Sequence, residues 1–193
     1  MTAEKKDTQL ETVTFWEHLE AFRWTIIRVL LVLVVFIIIV FSYKDFIFTQ
    51  IILAPLNSDF ILYRLLCKLS NILEISVLCP EEFNLQLINI HLSGQFIAHL
   101  GTSIIISLLI TVPYLFYEIW KFISPALYNN ERKNVGLAFL ASSVLFYVGV
   151  VISYFLIFPL TIRFLGMYTV SELVPNQISI QSYMNTLYIL VLA

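Results

Sequence analysis

Residues Trp24–Phe41 read WTIIRVLLVLVVFIIIVF, eighteen positions in which only Thr25 and Arg28 are clearly polar. About 20 helical residues cross a hydrocarbon core of ~30 Å, and lipid offers an unpaired backbone group no partner, so this stretch predicts a membrane-spanning helix. Ile97–Tyr117 and Leu137–Phe158 repeat the pattern without acid, lysine or arginine. A barrel would show alternating strands of ~10 residues, which are not seen. A fourth apolar run begins near Ile180 and continues to Ala193. Its fourteen residues would cover only about 21 Å as a helix. The run lacks a cap or basic flank where it stops, which reads as the N-terminal part of a longer protein. A half-inserted helix is the other reading.

Composition agrees. The chain has 193 residues, 60% hydrophobic and 12% charged, where a soluble domain carries about 25% charged residues. One core of this size could not hide so much apolar surface. A soluble enzyme, a disordered regulator and a basic-patch nucleic-acid binder are excluded, and the net charge of −2 adds no polyanion signal. The reading is all-α: a polytopic membrane helix bundle with three complete transmembrane helices and the start of a fourth. Its spans fall at about 24–43, 96–122, 137–158 and, incomplete, 180–193. Residues 1–23 form an N-terminal amphipathic segment, and about 44–95 an outside loop. With 23 mostly polar residues ahead of it and no small-x-small site after it, the first span is not a cleavable signal peptide.

Basic residues set the orientation. Lys5, Lys6 and Arg23 precede the first span, with Arg28 able to snorkel back, and Lys121, Arg132 and Lys133 lie between the second and third. The long loop holds only Lys44, Arg64 and Lys68, and the loop before the fourth span only Arg163. The N-terminus and the second loop are therefore expected to be cytoplasmic. Within the long loop, leucines and isoleucines of Phe60–Leu78 repeat at helical spacing, with Arg64 and Lys68 on another face. This predicts an amphipathic surface helix, the alternative being an irregular packed loop. Cys67 and Cys79, the only cysteines, lie in the same loop. In an oxidising compartment they would form a disulfide, and otherwise remain two thiols.

No phosphate loop, nucleophile elbow or zinc motif is present, and His18, His91 and His99 lack ligand spacing. Neither catalysis, a metal nor a cofactor is expected. The polar residues of interest flank the spans. Before the first, Glu17, Glu20 and Arg23 stand one helical turn apart among aromatics. Carboxylates there would suit a basic peptide, or simply form a solvated lead-in. After the second span, Tyr114–Lys133 is dense in aromatics. Pro113 should loosen the helix ahead of it, Pro125 should turn the chain, and Glu131 follows beside two cations.

At these residues the chain resembles TatC, the polytopic core of the twin-arginine protein translocase. The matching pieces are His18-Leu19-(x)3-Arg23, Ala54-Pro55-Leu56, and Tyr117-x-x-Trp120-x-Phe122-Ile123-x-Pro125-Ala126-Leu127-Tyr128-x-x-Glu131-Arg132. Leu145-Phe146-Tyr147-x-Gly149, Tyr154-Phe155, Pro159-Leu160 and Ser182-Tyr183 follow in family order. The resemblance implies a six-helix cup with both ends cytoplasmic, in the bacterial inner membrane. It implies recognition of signal peptides bearing two consecutive arginines, and export of folded proteins with single-span TatA- and TatB-type partners. It places signal-peptide binding at Glu131 and Phe122; Pro113, Pro125 and Tyr128 are expected to be structural. Paired guanidiniums do ask for carboxylates and aromatic faces. One departure is Ala21, where the family usually has Glu; Glu20, or less well Glu17, would supply the charge, with Arg23 beside it. Another is a family acid late in the fourth span, which lies beyond Ala193. The competing readings are an ion-coupled transporter or channel subunit, which needs mid-span ionisable groups that are not apparent, and a scaffold that only packs partner helices.

Overall fold

The structure, a computed structural model, describes residues 15–57, 60–73, 87–168 and 177–192. These form seven helices and one short strand pair: α1 (Phe15–Ser42), α2 (Lys44–Phe46), α3 (Ile61–Leu73), β1 (Leu87–Ile88), α4 (Gly94–Ile123), α5 (Asn129–Ile152), α6 (Phe158–Met167), β2 (Ile178–Ser179) and α7 (Ile180–Leu192). By length and composition, His18–Ser42, Lys44–Lys68, Gly94–Ile123 and Glu131–Met167 are each apolar enough to cross a membrane. The chain is an all-α, multi-pass bundle.

Helix α1 packs along α4, running antiparallel to it. Phe41 stacks on His99 at one end, ring centroids 4.0 Å apart, and His18 stacks on Phe122 at the other. The buried face of α4 is small and hydroxylated: Ala98, Thr102, Ser103, Ser107 and Thr111. Ser103 and Thr111 satisfy their own hydroxyls on the carbonyls of His99 and Ser107, so the helices can approach closely. Leu30, Leu31, Val34 and Ile38 of α1 are left exposed, as side chains facing lipid must be. The core lies where α7 meets α6 and the segment after α1, around Ile52, Phe158, Tyr183 and Met184.

Two prolines organise the packing. A helical proline offers no N–H to the carbonyl four residues earlier, and a buried carbonyl without water must find another donor. Pro113 lies inside α4, which runs through it unbroken, and orphans the carbonyl of Leu109. The Tyr147 hydroxyl of α5 donates to that oxygen at 2.8 Å. Pro55 likewise orphans Ile51, whose carbonyl accepts from Tyr154, and the adjoining Ile52 carbonyl accepts from Tyr183 at 2.6 Å. Tyr63 of α3 donates to the carbonyls of Pro55 and Pro159. Each broken ladder thus becomes a bond between helices.

Several expectations are corrected here. The stretch after Ser42, expected as an outside loop, continues as α2, a π-helix (Ile47–Ile52) and a 3-10 turn (Ala54–Leu56). It is apolar enough for helix, and Pro55 breaks it before it becomes one rod. Arg163, expected in a loop, lies on α6. The third span does not stop at Phe158 but passes through a π-helix (Ser153–Ile157) into α6. There Pro159 sits in the first turn, where a missing N–H costs nothing. The surface helix is present as α3, with Leu62, Tyr63 and Ser70 buried and Leu65 exposed. Leu87 and Ile88 pair in parallel with Ile178 and Ser179, a contact with no sequence signal. Cys67 on α3 is disulfide-bonded; Cys79 lies outside the described residues.

Tyr147→Phe should therefore destabilise the protein by about 1–3 kcal/mol, the cost of an unpaired buried carbonyl. In a Pro113→Ala background the same change should cost less than half as much, because the alanine restores the missing backbone N–H. Unfolding in mixed micelles, read as a double-mutant cycle, checks this; equal costs in both backgrounds would refute the pairing.

Candidate functional site

At one end of the bundle the C-terminal turns of α4 contact the N-terminal turns of α1 on one side and α5 on the other. Phe122 lies in the last turn of α4, its ring 4.3 Å from the His18 imidazole in a stacked arrangement and 5.6 Å from Phe22. Both partners sit on α1 one turn apart, so the three rings form a continuous face. Next to Phe122, Trp120 is held between Phe139, 6.0 Å away, and Gly136 of α5. A Cβ on Gly136 would come within 3.0 Å of the indole, so glycine is what lets α5 close on α4 here. Helix α4 ends at Ile123, Ser124–Ala126 form a 3-10 turn, and Leu127 and Tyr128 are extended. Tyr128 caps α5 as an exposed residue.

Glu131 follows in the first turn of α5, where the partial positive charge of a helix N-terminus favours a carboxylate. It is exposed, as is Glu20 on α1, and neither makes an ion pair among the described residues. Arg23 is exposed too, its guanidinium 5.8 Å from the ring of Trp24. The side chain of Glu17 lies outside the described residues. Of the residues singled out from sequence, the structure thus sets Phe122 against α1 and leaves Glu20 and Glu131 free, without a direct contact between them. Among the described residues no group of three His, Cys, Asp or Glu side chains could hold a metal ion.

The sequence reading missed one acid. Glu118 falls inside the second span expected at about 96–122, in the aromatic stretch that follows the uncharged run Ile97–Tyr117, and nothing in the local sequence singles it out. It lies within α4, 3% exposed. Tyr114, one turn earlier, donates to its Oε1 at 2.9 Å, and Arg28 of α1 reaches its Oε2 at 3.4 Å. The signal was available: Arg28 is a lone cation in an apolar run, and intramembrane cations pair more often than they stand alone.

An aromatic contact between α1 and α4, with two exposed carboxylates on the same end of a multi-pass helical bundle, defines the class as a polytopic helical membrane protein. Comparison with known proteins gives it a family. The model for "Sec-independent protein translocase protein (TatC)" matches residues 17–193, and the chain belongs to the TatC family. A Sec-independent protein translocase protein TatC from Blattabacterium sp. subsp. Periplaneta americana is 35% identical over 173 residues, 89% of this chain and 65% of that protein. The Escherichia coli (strain K12) protein of the same name is 36% identical over 101 residues, 52% of this chain and 39% of its own length. A crystal structure of the twin-arginine translocase receptor TatC in DDM matches with a TM-score of 0.65 at 23% identity, covering 91% of this chain and 68% of that one. The chain therefore spans less than two thirds of the length of these curated relatives, and the crystal structure supports the fold.

Because Gly136 admits Trp120, Gly136→Val should displace the indole. In a Trp16→Phe/Trp24→Phe background, where Trp120 is the one remaining tryptophan, the emission should shift to longer wavelength. An unshifted spectrum would contradict the close approach.

Proposed function

We propose that this chain is the core subunit of a twin-arginine translocase, binding signal peptides with two consecutive arginines at the α1–α4–α5 end of the bundle. The observation that carries this is that Glu20 and Glu131 are exposed, make no ion pair among the described residues, and lie at the same end of the bundle as the Phe122–His18–Phe22 rings. Guanidiniums bind carboxylates through paired charge-assisted hydrogen bonds that an ammonium cannot reproduce. Aromatic faces add cation–π attraction of about 0.5–2 kcal/mol. Phe122, Glu131 and Glu20 are then the binding residues, with Arg23 and Glu17 flanking them. The apolar part of a signal peptide lies against the exposed surface of α1.

This end faces the cytoplasm in our reading, with the protein in the bacterial inner membrane. Arg23, Lys121, Arg132 and Lys133 are all exposed there, and basic residues stay on the cytoplasmic side. The disulfide at Cys67 belongs to the opposite end, as an oxidising exterior requires. On this reading α1, α4 and α5–α6 cross the membrane and α7 begins a fourth crossing. Residues 1–23 lie inside, and α2 to β1 pack on the outer side. The Cys67 disulfide joins Cys79, the other cysteine of the chain. TatA- and TatB-type single-span subunits complete a hetero-oligomer, and the role is binding and conduction of folded cargo rather than catalysis.

Glu131→Ala should weaken binding of a twin-arginine peptide by roughly 10- to 100-fold, the worth of a charge-assisted bond of about 1.5–3 kcal/mol. Titration of the purified protein in nanodiscs measures it, and unaltered affinity removes the assignment. Changing Glu17 and Glu20 together to Ala should stop export of a folded twin-arginine reporter; undiminished export would show that the α1 acids play no part.

A further inference from the structure

The ion pair between half-exposed Arg28 and buried Glu118 sits one step inside the aromatic face. Glu118 precedes Phe122 by four residues on α4, about 6 Å along the axis. Arg28 follows Phe22 by six residues on α1, about 9 Å along an antiparallel neighbour. The ion pair and the His18–Phe22–Phe122 contacts therefore belong to one local register of α1 on α4.

At the far end Phe41 stacks on His99, but between that contact and this end little else along the seam specifies the register. On the side of α4 shared by His99 and Glu118 the buried residues between them are Ser103, Ser107 and Thr111, whereas Ala98 and Thr102 meet Tyr188 of α7; α1 brings to this seam a run of Val, Leu and Ile. Over this middle stretch, small residues against aliphatic ones pack almost equally well one turn up or down, so the middle of the seam carries no register of its own. The hydroxyls of Ser103 and Thr111 bond within α4 rather than to α1. A carboxylate cannot slide in this way. Glu118 is 3% exposed, and both of its oxygens already hold a donor, Tyr114 from its own helix and Arg28 across the seam. Moving α1 by a turn would strip the cross-helix donor and leave a buried charge with only a phenol. Arg28 is 43% exposed at its side chain, so its remaining N–H groups stay outside the seam while the one contact is kept.

We propose that Arg28 and Glu118 are positioning residues for the peptide site: their ion pair locks the register of α1 on α4 that lays His18 and Phe22 against Phe122. The inference rests on the reading of this end as the signal-peptide site. It assigns these two side chains no contact with the peptide.

The test measures dissociation constant and binding stoichiometry together, with a fluorescent twin-arginine peptide and a twin-lysine control on the full protein in nanodiscs. Glu118→Gln keeps the size and the hydrogen-bond acceptor and removes the charge. It should raise the dissociation constant about tenfold at unchanged stoichiometry, a coupling typical of residues in one network. The register is read separately by the yield of a disulfide between cysteines placed at positions 18 and 122. That yield should fall severalfold in Glu118→Gln and recover when Arg28→Glu and Glu118→Arg are combined. A Glu118→Gln protein with wild-type affinity and crosslinking overturns the proposal. So does one that loses stoichiometry at an unchanged dissociation constant, because the acid would then serve folding alone. A wild-type protein that binds arginine and lysine peptides equally overturns the receptor reading on which the proposal rests.

Discussion

A backbone carbonyl released by proline inside a membrane must be satisfied by protein, because neither lipid nor water will do it. This constraint shapes the bundle more than any apolar contact. Pro113 frees Leu109 and Pro55 frees Ile51, and in each case a tyrosine from another helix closes the gap, Tyr147 and Tyr154 respectively. The breaks that loosen two helices therefore become directional bonds that fix α5 on α4 and hold the segment after α1 against the third span. Hydrophobic burial alone is non-directional, and in lipid it offers little preference between one apolar face and another.

The same logic runs toward the functional end. With Pro113 bridged, α4 continues as helix for ten residues beyond it, carrying Glu118 and Phe122 against α1 and Trp120 against α5. Gly136 lets α5 close against Trp120, and Pro125 ends the helix so that Glu131 begins the next one. On the α1 side, Arg28 meets Glu118 and the aromatic pair above it meets Phe122. Charge is used in two ways here. One carboxylate is buried and paired, which holds helices together; Glu20 and Glu131 are exposed and make no ion pair among the described residues.

Most of the architecture was legible because lipid enforces a simple rule: long uncharged runs become helices, and their flanking cations set a topology. The run from Trp24 to Phe41 predicted α1, and leucine spacing after Phe60 predicted α3. What escaped were features without a local period. The strand pair joins residues some ninety positions apart through two residues on each side. The π-helices after α2 and α5 read as ordinary apolar sequence. Glu118 escaped for a different reason: its span was expected to run to about residue 122, but its burial depends on Arg28 of another helix, which leaves no mark in the local sequence. The resemblance to TatC pointed to Phe122 and Glu131, but it did not show His18 and Phe22 lying against Phe122, because a contact between distant helices has no signature in either segment alone.

The central claim is that an arginine-specific peptide site lies at the α1–α4–α5 end of the bundle. Photocrosslinking tests it most directly, with a benzophenone placed beside the twin arginines of a signal peptide and adducts mapped by mass spectrometry on the protein in membranes. The account predicts adducts within residues 15–23 and 118–131, lost when the arginines are replaced by lysines. Adducts on α3 or α7, or equal labelling by the lysine peptide, would contradict it.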